Sequence, residues 1–208
     1  VFLGEQLTRI VDEIEQGVVS GATDREIIDM GVSSLPRLSR DTSDRNRTSP
    51  FAFTGNKFEF RAPGASQSIS FPAAVINTIV AESLDILADK IEAKTKGRNV
   101  NQAALDVIKE EIKANKAILH MGDNYIKEWE AEAAKRGLPN KKRSCEALKD
   151  LKTDKAFKLF DKYGVLTPQE LKSRYHVRLE KLIKEIDIEA VTLSSMVQNQ
   201  VIPAAVSY

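Results

Sequence analysis

The longest regular pattern in the sequence is a stripe of apolar residues near its C-terminal end. From Leu171 to Val197, apolar side chains return at steps of three and four residues, which is the period of one face of an α-helix. The run from Thr167 to Glu170 has the order of a capping box, with proline at the first helical position. We therefore expect one helix of about 30 residues that ends before Pro203. A stripe of this length must be covered by other long helices, in the same subunit or in another one.

Much of the remaining chain also has the helical period. The predicted helices run from Leu3 to Gly17, Pro72 to Thr95 with Ser70 as its cap, Asn101 to Leu119, Tyr125 to Arg136, Cys145 to Leu151 and Thr153 to Tyr163. Between the first two helices the pattern changes. It predicts a loop from Val18 to Asp29 that ends in a short helical turn at residues 24–29, and a strand from Met30 to Leu38. The sequence therefore favours an α+β fold that is mostly α.

Composition excludes several classes of function. The 208 residues include 31 basic and 30 acidic side chains, so the chain lacks the basic surplus of a nucleic-acid-binding protein. A single cysteine, Cys145, excludes an intrachain disulfide framework and fits a reducing, cytoplasmic compartment. No apolar run approaches the ~18 residues of a membrane span and no signal peptide opens the chain, so we expect no membrane partner. Because the chain starts at Val1 without a methionine, we interpret it as part of a longer protein.

The run from Lys57 to Arg61 alternates charged and aromatic side chains, which is the period of a β-strand. Glycine, asparagine and proline on both sides of the run are turn residues, so the strand is short. We expect Phe58 and Phe60 to point into a core, and the three charged residues to stand together on the other face. That charged face is either a set of solvated surface ion pairs or a place where a carboxylate holds a metal and cations hold anionic oxygens.

The preceding stretch, residues 39–49, is polar and contains Arg40, Arg45 and Arg47. A solvated loop is its ordinary interpretation. Guanidinium groups on a loop beside a strand are also a common means of binding phosphates, so both interpretations stay open for this stretch.

The run from Asp44 to Arg61 resembles a stretch of glutamine synthetases, in which an Asn-Arg-Ser-like motif precedes a strand that contains Glu-x-Arg. Here the motif is Asn46-Arg47-Thr48, and the strand reads Phe58-Glu59-Phe60-Arg61. The intervening Ser-Pro-Phe-Ala-Phe-Thr-Gly-Asn is similar to the type III branch of that family. The helical part resembles the C-terminal extension of the same branch, notably in Trp129 to Pro139, Gly164 to Tyr175 and Val201 to Val206.

The resemblance implies roles for single residues. Glu59 matches the glutamate that binds a catalytic metal, and its hard oxygen suits Mg²⁺ or Mn²⁺. Arg61 matches the arginine that contacts the transferring phosphate and the substrate, and Arg47 matches the arginine that holds the phosphates of ATP. Lys57 falls where many relatives have an arginine near the nucleotide. Other branches have a further arginine where this chain has Ala52, and what takes that role here stays open.

For the whole chain, the resemblance implies the C-terminal portion of an ATP-dependent ligase that joins glutamate and ammonia through γ-glutamyl phosphate and assembles into homo-oligomeric rings. Residues 1–70 would be the end of the catalytic domain, with a few strands of its sheet, and residues 71–208 a helical extension. Because one metal ligand cannot hold a catalytic ion against water, we expect this chain alone to be inactive. The alternatives are a non-catalytic helical oligomerisation module and another carboxylate–amine ligase of the same superfamily.

Overall fold

The computed structural model describes residues 1–17, 27–28, 38–39, 49–55, 57–62, 64 and 67–208, with backbone only at 27–28 and 38–39. Within these ranges it contains four short strands and eight α-helices. The strands are β1 (Ile27–Ile28), β2 (Leu38–Ser39), β3 (Phe51–Phe53) and β4 (Phe58–Phe60). The helices are α1 (Gly4–Gln16), α2 (Ser70–Thr95), α3 (Val100–Asn115), α4 (Lys127–Lys135), α5 (Ser144–Leu148), α6 (Asp154–Lys162), α7 (Pro168–Met196) and α8 (Ile202–Ser207). The predicted fold class, α+β and mostly α, is confirmed.

The strands form two antiparallel pairs, β1 with β2 and β3 with β4. The pairing of Ile27 with Ser39 and of Ile28 with Leu38 corrects the predicted helical turn at residues 24–29, because two of its residues are in a strand. Pairing with a segment about ten residues further on overrides the weak local helical preference there. Of the strand predicted from Met30 to Leu38, only Leu38 lies within the described residues.

The described residues group into two compact units. The first comprises residues 1–71 and 83–140, and in it α1 packs against α3. Ala103 and Val107 on α3 are fully buried. Just after α3, Lys116 forms ion pairs with Asp12 and Glu15, both on α1. The two helices are therefore joined by apolar packing and by charges at their edge.

The end of α1 follows the sequence prediction. Gly17 has a φ of 76°, in the left-handed region that favours glycine, and its N–H donates to the carbonyl of Ile14 at 3.1 Å. This satisfies a carbonyl that the helix itself leaves without a partner. The predicted helix from Leu3 to Gly17 is confirmed with a shift of one residue at each end.

The second unit comprises residues 72–82 and 141–208. Its core lies where α6 meets the start of α7, and it consists of Leu159, Phe160, Leu171 and Tyr175. The predicted capping box is present at this start. Thr167 Oγ1 accepts from the N–H of Glu170 at 3.2 Å, and the carboxylate of Glu170 accepts from the N–H of Thr167 at 2.8 Å. The start of the long helix is therefore fixed by its own residues.

The end of the long helix differs from the prediction. After Met196 the chain makes a π turn over Val197–Val201, in which the N–H of Ile202 donates to the carbonyl of Val197, and α8 then runs through Pro203. A proline in a regular α-helix clashes with the carbonyl four residues earlier and leaves it without a donor. The wider turn changes that spacing, so the chain stays helical past the proline.

Helix α2 corrects two sequence predictions. Ser70 is the first residue of the helix and not its cap. The cap position is occupied by Ile69, which makes no side-chain capping bond. By length and composition α2 could cross a membrane, with a mean hydropathy of 1.4 over its most apolar 18 residues, although no such stretch was expected. The charged residues of this helix all lie from Glu82 onward, so its first twelve residues are uncharged and keep the average hydropathy high. This property is shared by helices of many proteins that never enter a membrane, and it assigns no location.

The predicted boundary at residue 70 stays a prediction. The two compact units reflect the packing of the described residues, and residues 72–82 of α2 belong to a different unit from residues 83–95.

Candidate active-site strand

The candidate strand, β4, is the second half of a hairpin with β3. Ala52 pairs with Glu59, flanked by the pairs Phe51–Phe60 and Phe53–Phe58. Thr54 closes the turn, because its N–H donates to the carbonyl of Lys57 at 2.8 Å, and Gly55 takes a φ of 90° that suits a residue without a side chain. The short strand with turn residues before it is therefore confirmed.

The register places the four phenylalanines on one face of the hairpin and Ala52 and Glu59 on the other. The separation of aromatic from charged residues agrees with the prediction, but the predicted core does not. Phe58 and Phe60 are 49% and 47% exposed. Phe58 stacks on Phe51 with 5.4 Å between ring centroids, so the aromatic face packs on itself, and no described element buries it.

Glu59 and Arg61 form the charged centre of the strand. The Nε and Nη2 atoms of Arg61 donate to the same carboxylate oxygen of Glu59, at 3.2 Å and 2.8 Å. The hydrogen bonds from Arg61 and then its charge lower the pKa of the Glu59 carboxyl below its usual value. Desolvation opposes this shift, and the charge of Lys57 has the weakest lowering effect. Glu59 is therefore held as a carboxylate on an exposed surface.

The structure brings together part of the predicted site. Glu59 and Arg61 are in contact, whereas Lys57 acts on Glu59 through its charge. Arg47 lies outside the described residues. Ala52 is fully buried although it lies on the same face of the hairpin as Glu59, so a longer side chain such as arginine at this position would need the neighbouring segment to move.

A divalent metal is implied for Glu59 by the resemblance. An exposed carboxylate of lowered pKa fits one hard oxygen ligand for Mg²⁺ or Mn²⁺. Within the described part of the chain, however, no three His, Cys, Asp or Glu side chains group closely enough to hold a metal ion. These residues therefore fit a site completed by other ligands, to which this strand would contribute one oxygen.

One contributor to this site was not anticipated from the sequence. Phe2 forms a parallel bridge with Ala52, and so lies beside β3 as a third extended segment. Its N–H donates to the carbonyl of Phe51 at 3.0 Å, and its carbonyl accepts from the N–H of Phe53 at 2.9 Å. A single bridging residue leaves no periodic signal in the sequence, so sequence analysis had no means of finding this pairing.

Fold and strand together define the class of the chain. It is a mostly helical protein with a short β-hairpin, and one face of that hairpin carries a carboxylate paired with a guanidinium group. Residues 103–208 match the model of the glutamine synthetase C-terminal domain family. The chain belongs to that family, which confirms the resemblance seen in the sequence.

Individual relatives agree with the family match. The chain is 39% identical over 208 residues to the type-3 glutamine synthetase of Dictyostelium discoideum. It is 35% identical to a glutamine synthetase of Bacteroides fragilis and 33% identical to one of Butyrivibrio fibrisolvens. In each comparison all of the chain is covered, but it spans only 28% to 29% of the length of the relative.

Proposed function

We propose that the chain supplies the last part of the catalytic domain, residues 1–70, and the helical extension, residues 71–208, of an ATP-dependent glutamate–ammonia ligase. The observation that carries this proposal is the Glu59–Arg61 pair on an exposed strand face, in a chain 39% identical to a type-3 glutamine synthetase. The reaction transfers the γ-phosphoryl group of ATP to the substrate carboxylate, and ammonia then displaces phosphate from the acyl phosphate. The amine is the least constrained part of the proposal, since a related carboxylate–amine ligase could use the same residues.

In this proposal the residues of the strand bind charge and position it. Glu59 supplies one oxygen to a divalent metal, which when bound would neutralise the developing charge on the phosphoryl oxygens. Arg61 has a fork of donors, suited to holding the transferring phosphoryl group and the substrate. Lys57 adds a point charge toward the nucleotide, and Arg47, assigned from its sequence motif, holds ATP phosphates. The location is proposed to be cytoplasmic, in line with the single cysteine.

The test is Glu59→Gln in the complete protein, with Glu110→Gln on α3 as the matched control. Glu110 is also an exposed glutamate in an ion pair, with Lys94, but it lies outside the hairpin. We expect Glu59→Gln to lower turnover by more than about 10²-fold and to change the dependence on Mg²⁺, since it removes a charged oxygen ligand. If Glu59→Gln shows the same turnover and Mg²⁺ dependence as the control, Glu59 and Arg61 are only a surface ion pair.

A second candidate function, assembly into a homo-oligomer, is favoured by the distal part of the long helix. All of residues 176–208 are described, and none of them is buried. Many of these residues are large and apolar, including Ile183, Ile186, Val191 and Leu193, each more than half exposed. Between α5 and α7, Leu179, Leu182, Ile183 and Ile186 line an apolar groove of about 400 Å³. Apolar surface of this extent is typical of a protein contact.

The assembly is tested by Leu182→Asp and Ile186→Asp in the complete protein, with Lys184→Glu as the control. Lys184 lies on nearly the opposite side of the helix at 3.6 residues per turn, so its substitution adds negative charge away from the groove. Burying an unpaired charge is unfavourable, and we expect the two aspartates to unfold the extension or to reduce the oligomer. Light scattering and circular dichroism measure both. If the assembly stays large and the helix stays folded, this face of the helix is exposed to solvent and forms no subunit contact.

A further inference from the structure

The start of the chain lies between the candidate strand and a loop of the helical part of the first unit. On one side, Phe2 exchanges two backbone hydrogen bonds with β3, as described above. On the other side, the N–H of His120 donates to the carbonyl of Val1 at 3.0 Å. Four segments therefore follow one another in a lateral row of backbone hydrogen bonds: the loop at residues 118–120, residues 1–2, β3 and β4.

Glu59 stands in this row. It pairs with Ala52, which in turn bridges to Phe2. Each step between neighbouring extended segments is about 4.8 Å, so the loop lies roughly 14 Å from the strand that carries Glu59. A continuous row of backbone bonds over this distance leaves little freedom for one segment to shift without its neighbour.

The outer end of the row is held by Arg136, the residue that follows α4. Its Nη1 atom donates to the carbonyl of Leu119 at 2.8 Å and to that of Ala117 at 3.3 Å. Its Nε atom donates to the carboxylate of Glu132, one helical turn earlier, at 2.7 Å. One guanidinium group thus joins the carbonyls of Ala117 and Leu119 to α4, which a lysine ammonium on a flexible stem reproduces poorly.

An aromatic contact reinforces the same junction. The imidazole of His120 stacks on the indole of Trp129, with 3.9 Å between ring centroids and 17° between planes. The guanidinium of Arg136 lies 5.2 Å from the centroid of the same indole, within the range of a cation–π contact. Trp129 belongs to α4, so helix and loop meet through two kinds of contact at once.

We infer that Arg136 is a positioning residue for Glu59, which it influences through the backbone row and not by contact. A two-stranded hairpin is only marginally stable by itself, and a third extended segment is what makes such a sheet persist. Arg136 fixes the loop that fixes that third segment. The inference rests on the proposed function, since it assigns to a residue of the helical part an effect on the proposed metal ligand.

The experiment uses the complete protein with Arg136→Gln and Arg136→Lys, beside Glu59→Gln. The matched control is Arg98→Gln, because Arg98 is also paired with an acid, Asp106 at 3.0 Å, in the same unit but outside the row. Hydrogen exchange of the amides of Phe53 and His120 reports on the row without reference to activity. We expect Arg136→Gln to speed both by about tenfold, while the amide of Ala103 in α3 keeps its protection and shows that the unit is folded.

Activity provides the second measurement. Arg136→Gln should raise the Mg²⁺ concentration needed for half activation by about fivefold, with a smaller change in turnover at saturating metal, because the ligand is displaced and not removed. Arg136→Lys should restore little of either property, whereas Arg98→Gln should match the wild type. The split between metal requirement and turnover separates positioning from a general loss of folded protein.

The outcomes are distinguishable. The inference is overturned if the Phe53 amide exchanges at the wild-type rate in Arg136→Gln, or if it exchanges faster but the Mg²⁺ concentration needed for half activation does not change. In either case the proposed function still stands if Glu59→Gln changes the dependence on Mg²⁺. If Glu59→Gln itself shows the metal response of the wild type, the proposed function fails and the inference falls with it.

Discussion

The corner between α6 and α7 and the hairpin of β3 and β4 differ in how they bury apolar side chains. At the corner, Leu171 is fully buried and Phe160 is 2% exposed. In the hairpin, Ala52 is fully buried, yet Phe58 and Phe60 are about half exposed. Both regions are rich in large apolar side chains, so composition does not explain the difference.

The difference is one of self-sufficiency. The corner contains its own capping box and packs against the turn at residues 149–152 just before α6, so its folding depends on residues close to it in sequence. The hairpin depends on backbone bonds to a segment about 50 residues earlier, and its aromatic side chains Phe58 and Phe60 are about half exposed. A region of the second kind is suited to a site completed by other parts of a longer protein.

The largest effect that would test this comparison is the loss of a buried side chain at the corner. We expect Leu171→Ala to lower the free energy of unfolding of the second unit by about 3 kcal/mol, because it removes apolar contacts and leaves a cavity. Ile186→Ala, on the same helix but 56% exposed, should change it by less than about 0.5 kcal/mol. Urea unfolding followed by circular dichroism measures both. Equal effects would mean that the corner is not a closed core.

A smaller effect is expected from Arg61→Lys in the complete protein. Arg61 directs two nitrogens at Glu59, and an ammonium group offers no such fork. We expect turnover to fall by about tenfold or more, and by a larger factor than the apparent Michaelis constant for ATP rises. Arg47→Lys should likewise fail to preserve activity. Steady-state kinetics at saturating metal decide the matter, and wild-type values for both variants would make these arginines structural.

The smallest expected effect is a change in the pKa of Glu59 within the hairpin. Because the hydrogen bonds and charge of Arg61 lower the pKa of Glu59, Arg61→Gln should raise that pKa. A carboxyl whose pKa is lowered by folding stabilises the fold above its unfolded value, and this contribution is lost as pH falls through the folded value. The titration of the Glu59 carboxyl, and the loss of its stabilising contribution in acid, should therefore move to higher pH in Arg61→Gln. Side-chain NMR of Glu59 measures the titration directly, and an identical curve in the variant would contradict the pairing.

Much of the fold could be predicted because its signals are local. Gly17 ends α1 and the run from Thr167 to Glu170 starts α7, since each motif depends on residues within one turn. The same holds for the hairpin turn and for the alternation that separates aromatic residues from Glu59. Arg61 was placed beside Glu59 because residues two apart in a strand share a face.

The rest depends on contacts between distant residues or on choices that local rules do not decide. Whether Phe58 is buried depends on what covers the sheet, and the residues near it in sequence do not predict that. The pairing of Phe2 with Ala52 and the stacking of His120 on Trp129 join segments that carry no matching pattern. Pro203 was expected to end a helix, but a single wide turn was enough to let the chain continue.

That wide turn has a consequence for the phase of the helix. In a regular α-helix each residue advances by about 100°, whereas a π turn advances each residue less, so the five residues from Val197 to Val201 fall behind by roughly a quarter of a rotation. Ile202 and Val206 therefore point in a direction that the spacing of Leu193 and Val197 does not forecast. A helical wheel drawn for the whole of residues 168–207 would misplace the residues after the π turn by that quarter rotation. Removing one residue from the π turn would leave the tail facing almost as it does now, because four α-helical residues turn through about the same total angle as the five π residues.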